Sequence, residues 1–132
     1  MTTVTKTEYL VAGYSTQPEL LAELAGSEDA VVRAQVAENK STPSNVLLQL
    51  LSDDNEEVRA ALASNRALPR LAVLQLAFDE HPDVRYTLAE SASTPVDVLH
   101  ILTSDENPYI VDRAAQTLER IAKSYKHRVI AA

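Results

Sequence analysis

An interval of 26 residues recurs through this chain of 132 residues and limits the folds open to it. Proline, arginine and asparagine return at that interval, and each of the arginines follows a valine. The recurring positions are Pro43, Pro69 and Pro95; Arg33, Arg59 and Arg85; and Asn39 and Asn65, with Ser91 in the third place. Self-similarity at a fixed period of about 20–50 residues is typical of solenoids and other stacked arrays. The period therefore predicts a repeat protein.

Each unit has the pattern of two short helices. In the second copy, Thr42-Pro43 places a hydroxyl at the expected N-cap and a proline at the first helical position. Residues 46–51 then carry valine and leucine on one face, and Glu56-Glu57 place negative charge in the first turn of a second helix. Helices of about 8–11 residues are too short to be stable alone, so neighbouring units must stabilise them by stacking. The pattern predicts an all-α solenoid of about four two-helix repeats.

The two ends of the predicted array differ from its repeats. A degenerate second helix precedes the first full repeat, and a longer helix from Pro108 to about Tyr125 has apolar residues at helical spacing opposite a polar face. Such a helix is expected to cap the last hydrophobic surface of a solenoid. Within one domain, 1–132, the predicted segments are 1–14 (N-terminal half-repeat), 15–41, 42–67 and 68–93 (repeats), 94–126 (last repeat and capping helix) and 127–132 (frayed tail).

Composition excludes several classes of site. With two glycines and no cysteine, the chain cannot form a glycine-rich phosphate loop, a disulfide framework or a sulfur-ligated metal site. No apolar run approaches the roughly 20 residues that a membrane span needs, so we expect a cytoplasmic protein with no membrane partner. Net charge is −7, with −11 in residues 1–112 and +4 in residues 113–132. An acidic body argues against nucleic-acid binding, which needs a basic surface.

The repeated unit resembles a known family. The second copy reads Ser41-Thr42-Pro43-x-x-Val46-Leu47-x-x-Leu50, followed by Asp53-x4-Val58-Arg59-x-x-Leu62-Ala63-x-Asn65. This pattern resembles the leucine-rich repeat variant, a bacterial two-helix repeat, and its Asp-x4-Val-Arg element resembles the HEAT-repeat signature. The resemblance covers about residues 15–110 and implies a right-handed stack in which one helix of each pair can be 3₁₀-like. The iron–sulfur module of the first-named family member needs cysteines that this chain lacks.

The column of arginines at positions 33, 59 and 85 has two interpretations. It is either an anion-binding row or a structural connection between copies. Asp53 and Asp79 recur in register six residues before Arg59 and Arg85. Because arginine and carboxylate form bidentate pairs, we expect each arginine to pair with the aspartate six residues earlier and to connect neighbouring copies.

No constellation of residues predicts catalysis or a cofactor. The acidic turns at 53–57, 79–80 and 105–107 lack the central glycine of an EF-hand loop, so helix capping explains them better than calcium. The histidines at 81, 100 and 127 do not share a helical spacing, and His81 occupies an expected N-cap. A nucleophile elbow is also absent from the sequence. We therefore predict a protein that is not an enzyme and holds no cofactor or metal.

The remaining candidate site is a surface of the second helices. A tyrosine interrupts a column of small residues there, and a second tyrosine interrupts an acidic column. An exposed Tyr86 surrounded by carboxylates would suit a basic partner segment, although Tyr86 packing on a neighbouring repeat is an equal alternative. Phe78 is expected in the local core. The candidate partner-binding residues are Glu57, Asp83, Tyr86, Glu90 and Tyr109.

Three classes of function follow. The leading hypothesis is a non-catalytic scaffold or adaptor that binds a protein or peptide on an acidic solenoid face. A second is a subunit that stacks end to end, as a homo-oligomer or within a larger assembly. The third is a HEAT-like nucleic-acid-binding protein, which the acidic body disfavours.

Overall fold

The computed structural model describes residues 6–131, with side chains described for residues 8–130. This part of the chain is entirely helical, as predicted, and both helices of each pair are α-helices and not 3₁₀-helices. Its helices are α1 (Lys6–Tyr14), α2 (Pro18–Leu24), α3 (Ala30–Glu38), α4 (Ser44–Leu50), α5 (Glu56–Ala63), α6 (Arg70–Leu76), α7 (Pro82–Glu90), α8 (Val96–Leu102) and α9 (Pro108–Ala131).

The helices form two rows with the hydrophobic core between them. Helices α1, α3, α5, α7 and α9 form a stacked row, in which each helix packs directly against the next. The shorter helices α2, α4, α6 and α8 form an outer row, and each packs against helices of the stacked row. Both rows contribute side chains to one continuous core. Fully buried members include Leu21, Val32, Leu47, Val58, Leu62, Leu76, Leu88 and Val98. The predicted all-α solenoid is confirmed.

Side-chain caps start the helices of the stacked row. The side chains of Asp29, Asn55 and His81 each accept a hydrogen bond from the backbone amide two residues later, at 2.7, 2.8 and 3.2 Å. His81 is thus an N-cap, as predicted. Polar caps turn the chain without glycine, and no residue in the described ranges has a left-handed backbone conformation.

The outer helices begin differently from the prediction. Pro43 is the N-cap position of α4 and not its first helical residue, and it offers no side-chain cap. The Thr42 hydroxyl, expected to cap α4, is buried and donates instead to the carbonyl of Val36 at 2.7 Å. Backbone carbonyls in the last turn of a helix lack intrahelical donors. The buried Thr42 hydroxyl therefore adds a hydrogen bond at the end of α3 and does not cap α4.

Arginine–aspartate pairs connect successive units. The Arg59 side chain donates to both carboxylate oxygens of Asp79, at 2.9 and 3.2 Å, and also to the backbone carbonyl of Asp53, at 2.7 Å. The expected partner of Arg59 was the carboxylate of Asp53, so that pairing was wrong. The carboxylate of Asp53 points to the preceding unit, where it accepts from Arg33. The three bidentate pairs are Arg33–Asp53, Arg59–Asp79 and Arg85–Asp105.

These pairs are shielded from solvent. The side chain of Asp53 is 8% exposed and that of Arg33 is 19% exposed. Burial by itself raises the pKa of Asp53, but the hydrogen bonds from Arg33 and the Asn55 amide outweigh it, so the pKa lies below its ordinary value. The hydrogen bond to Asp53 likewise raises the pKa of Arg33. The pair is therefore ionised throughout the physiological range.

Buried asparagines make a second set of connections. The Asn65 amide nitrogen donates to the carbonyls of Ala37 and Asn39, at 2.8 and 3.1 Å, and its side-chain oxygen accepts from the Ala67 amide. Asn39 makes the equivalent bonds to Ala12 and Ser15 one unit earlier. Each asparagine therefore joins the end of one stacked helix to the end of the previous one.

This asparagine connection is missing at the third repeat. Ser91 occupies the equivalent position, and its hydroxyl contacts Ser93 Oγ at 2.7 Å instead. The carbonyls of Ala63 and Asn65 receive no side-chain donor from any described residue, and a cavity of about 150 Å³ lies beside them. The junction between α5 and α7 is therefore less completely hydrogen-bonded than its neighbours.

Helix α9 is longer than predicted. It continues to Ala131, so the expected helix end near Tyr125 and the frayed tail after it were wrong for the described residues. No proline or glycine follows Pro108, and the basic residues of the last turns favour the C-terminal end of the helix dipole. All of residues 122–130 are exposed, so this end of α9 is much less covered than the first half, which packs on α7 and α8. No described helix has the length and hydropathy of a membrane span.

We expect Asp53→Asn to lower the free energy of unfolding by about 2 kcal/mol, because it leaves the half-buried Arg33 without its counter-charge. The sign of the pH dependence follows from the lowered pKa. Stability from ionised Asp53 is present above the ordinary carboxylate pKa and is lost as the pH falls through the lower folded-state value. Urea unfolding of both proteins between pH 2 and 7 measures this. Asp97→Asn, at the exposed Arg70–Asp97 pair, is the control and should cost much less. Equal losses for the two variants would contradict the structural role.

Completing the asparagine series should stabilise the chain. The backbone of Ser91 (φ −89°, ψ 121°) resembles that of Asn39 (φ −69°, ψ 118°), so Ser91→Asn fits without strain. Its amide would reach the Ala63 and Asn65 carbonyls, for a gain of about 1 kcal/mol in urea unfolding. The reciprocal variant Asn65→Ser should lose at least that much. A neutral or destabilising Ser91→Asn would show that water already satisfies those carbonyls.

Candidate functional site

A shallow groove crosses the solvent-facing side of the stacked row. It has a volume of about 410 Å³ and runs over α3, α5 and α7. We call it the acidic groove, because four carboxylates and no basic residue line it. The lining residues are Ala34, Glu38, Glu56, Glu57, Ala60, Ala61, Ser64, Asp83 and Thr87.

The repeat itself produces the groove. Glu57, Ala60 and Ser64 follow one another at three- and four-residue spacing, which places them on one face of α5. Val58 and Leu62 lie on the opposite face and are fully buried. Because the helices of the stacked row are related by the repeat, the same face of α3 and α7 adjoins it. The alanine side chains at the centre of this face are small, so the middle of the groove is lower than its edges, which carry the carboxylates. We call the middle the floor and the edges the rims.

The carboxylates of the groove lack strong counter-charges. Among the described residues, Glu38, Glu56 and Glu57 make no ion pair, although Glu56 interacts electrostatically with Arg59. Oδ2 of Asp83 lies 3.8 Å from Nδ1 of the His81 imidazole. Glu56 and Glu57 are in the first turn of α5, where the helix dipole favours negative charge. The groove is therefore a surface of uncompensated negative charge.

The structure brings together only part of the predicted site. Glu57 and Asp83 line the acidic groove, whereas Glu90 does not; it ends α7, where its carbonyl accepts from Arg120 at 3.0 Å. Tyr109 lies outside the groove in the first turn of α9 and is 78% exposed. The five predicted residues therefore do not form one cluster. Glu56 was missed, because its position in a helix N-terminus already explained its charge.

Tyr86 is not the exposed residue that the prediction required. It is half-buried and packs against the core, and its hydroxyl accepts from Arg113 Nε at 3.0 Å. The Arg113 guanidinium carbon also lies 5.6 Å from the centre of its ring. Tyr86 therefore connects α7 to α9, as in the packing alternative, and the exposed position expected for it was wrong. The physical reason is that α9 packs along α7 and places Arg113 next to the ring.

The prediction for the position of Phe78 was also wrong. It was expected in the local core but is 70% exposed. It lies in the turn after α6, in a column otherwise occupied by Gly26, Ser52 and Ser104, all exposed. Small and polar residues at the equivalent positions were the signal that this column faces solvent. Phe78 borders a second depression of about 350 Å³ together with Ile101, Glu80 and Glu106.

The described residues contain no group of three or more histidine, cysteine, aspartate or glutamate side chains placed to hold a metal ion. His81 is occupied as a helix cap, and His100 is exposed on α8. The acidic turns are likewise used internally: Asp53, Asp79 and Asp105 each accept from an arginine and from a backbone amide two residues later. The acidic groove is therefore the feature of this surface that suits a binding role best.

Tyr86→Phe is expected to lower the free energy of unfolding by about 1 kcal/mol, because it removes the hydroxyl that Arg113 contacts. Tyr109→Phe is the matched control, and it should leave stability unchanged because its ring is exposed. Urea unfolding measures both. Equal stability of Tyr86→Phe and the parent protein would contradict the structural assignment of Tyr86.

Comparison with known proteins identifies the repeat. A family model described as leucine rich repeat variant matches residues 30–55. The match begins at the first residue of α3, ends at the N-cap of α5, and contains both partners of the Arg33–Asp53 pair. No curated protein and no solved structure matches the chain. The resemblance to the leucine rich repeat variant is confirmed for residues 30–55, which lie within a helical repeat scaffold.

Proposed function

We propose that this protein is a non-catalytic scaffold that binds a basic segment of a protein or peptide in the acidic groove. The observation that carries the proposal is the set of four carboxylates, with no basic residue in the groove lining, around a floor of small side chains. The helix dipoles favour the carboxylates in the first turns of α5 and α7, and we infer that their convergence with Glu38 in one groove serves binding.

The shape and charge of the groove define the partner. Ala34 and Ala60 leave room for a backbone or a helix to approach the floor closely, while Glu38, Glu57 and Asp83 can contact lysine or arginine at its edges. Exposed ion pairs contribute little affinity each, so the carboxylates mainly attract and orient a basic segment. Burial of apolar contacts on the floor then supplies the affinity.

The other two hypotheses receive less support. Negative charge in the groove repels a phosphate backbone, which disfavours nucleic acid. End-to-end stacking would extend the arginine–aspartate series beyond the chain, but the series stops inside it. Ser27 occupies the position of the aspartates, and Val111 occupies that of the arginines. Neither end therefore offers the charged partner that joins one unit to the next.

Peptide binding tests the proposal. A fluorescent peptide of repeated Lys-Ala-Ala should bind at low salt, and a peptide of repeated Glu-Ala-Ala should not. The variant Glu57→Lys/Asp83→Lys should weaken binding of the basic peptide at least tenfold, because it reverses the charge at two equivalent positions of the groove, in the first turns of α5 and α7. Fluorescence anisotropy at several salt concentrations measures the effect.

The control for this experiment changes net charge equally elsewhere. Glu19→Lys/Glu23→Lys places the same four-unit change on the exposed surface of α2, outside the groove. It should weaken binding less than threefold. Equal losses in the two variants would show that overall charge, and not the groove, attracts the peptide, and would contradict the proposal.

A further inference from the structure

The far half of α9 has an apolar stripe that is mostly exposed, and near Tyr125 it borders an open cavity of about 610 Å³ that Ala92 also lines. Ile110 and Ala114 of the same stripe are fully buried against the solenoid. The stripe continues along the helix through Tyr125 and Val129, which are 70% and 59% exposed. We call residues 119–131 the arm. The exposed stripe of the arm continues the buried stripe of the first half of α9. The arm therefore presents a helix face whose residues are of the kind that pack against other helices.

Basic residues border this stripe on both sides. At 100° per residue, Lys126 lies on one side of Tyr125–Val129 and Arg128 lies on the other. Among the described residues neither of them pairs with a carboxylate; Lys123 alone does so in the arm, with Glu119 at 3.1 Å. The arm therefore combines a mostly exposed apolar stripe with unpaired positive charge.

The acidic groove has the complementary features. It has unpaired carboxylates, a floor of small side chains, and an extent of two helix spacings, from α3 to α7. Two spacings are about 16–20 Å, and a helix of the arm's length spans about 20 Å. An arm laid across the groove would place Tyr125 and Val129 on the alanine floor and direct Lys126 and Arg128 toward opposite rims.

The arm cannot reach the groove of its own chain as a helix. It is continuous with the first half of α9, which is fixed by packing on α7 and α8. Arm-to-arm pairing of two copies is also unfavourable, since it would bring Lys126 and Arg128 of one copy toward the same residues of the other. We propose that the arm of one copy docks in the acidic groove of a second copy. This inference rests on the proposed function of the groove as a surface for basic segments.

Self-association of the full chain tests the inference. Sedimentation equilibrium at low salt should show a concentration-dependent dimer or larger species that dissociates as salt is added. Lys126→Glu/Arg128→Glu and Glu57→Lys/Asp83→Lys should each raise the dissociation constant at least tenfold. The combination of all four substitutions should restore association, because the two reversed surfaces again complement each other. Glu19→Lys/Glu23→Lys should associate as the parent does. Unchanged far-ultraviolet circular dichroism verifies that each variant is folded.

Four results would overturn the inference. A parent protein that stays monomeric up to several hundred micromolar at low salt would do so. Association that survives the groove reversal would indicate arm-to-arm pairing, and failure of the four-substitution variant to recover would show that the two surfaces do not meet. A monomer that instead binds vesicles of anionic lipid would identify the arm as a membrane-surface helix.

Peptide binding separates this inference from the proposed function. A monomeric parent that still binds the Lys-Ala-Ala peptide in the groove would overturn self-docking and leave the proposed function intact. A parent protein that neither self-associates nor binds the Lys-Ala-Ala peptide would overturn this inference and the proposed function together.

Discussion

The arginine–aspartate pair that joins each unit to the next is the interaction on which the rest of this structure depends. Helices of seven to nine residues cannot hold their own conformation, so their positions are set by their neighbours. Each arginine binds the carboxylate of the next unit and, at the same time, the backbone carbonyl six residues before itself. One planar guanidinium thereby fixes the turn of its own unit and the turn of the following one.

The aspartate has an equally double role. Its carboxylate accepts from an arginine of the preceding unit and from the backbone amide of the N-cap residue of a stacked helix. A change in either partner therefore affects two turns and a helix start. Buried asparagines add connections at the opposite ends of the same helices. The stacked row is thus fixed at both ends by polar contacts and along its length by apolar packing, which makes it a rigid support for the acidic groove.

Repetition also explains where the candidate site lies. A residue repeated every 26 positions recurs on the same face of successive helices, so a local preference for glutamate and alanine becomes a continuous surface. The same property explains the exceptions. Tyr86 departs from a column of alanines because its neighbour is α9, whose Arg113 donates a hydrogen bond to its hydroxyl. Phe78 departs from a column of small residues that faces solvent, and it is therefore exposed.

The sequence by itself determined the repeat, the all-α class, the division into helix pairs and the presence of Glu57 and Asp83 on one surface. Those properties depend on residues close in sequence, whose helical spacing fixes which face they share. Only the tertiary structure decided which aspartate each arginine binds, because partners six and twenty residues away are equally regular in a periodic sequence. It also decided the burial of Tyr86 and the length of α9, since both depend on what packs beside a helix. The period of the sequence determines the helix face on which a side chain lies. The neighbouring unit determines what that side chain contacts.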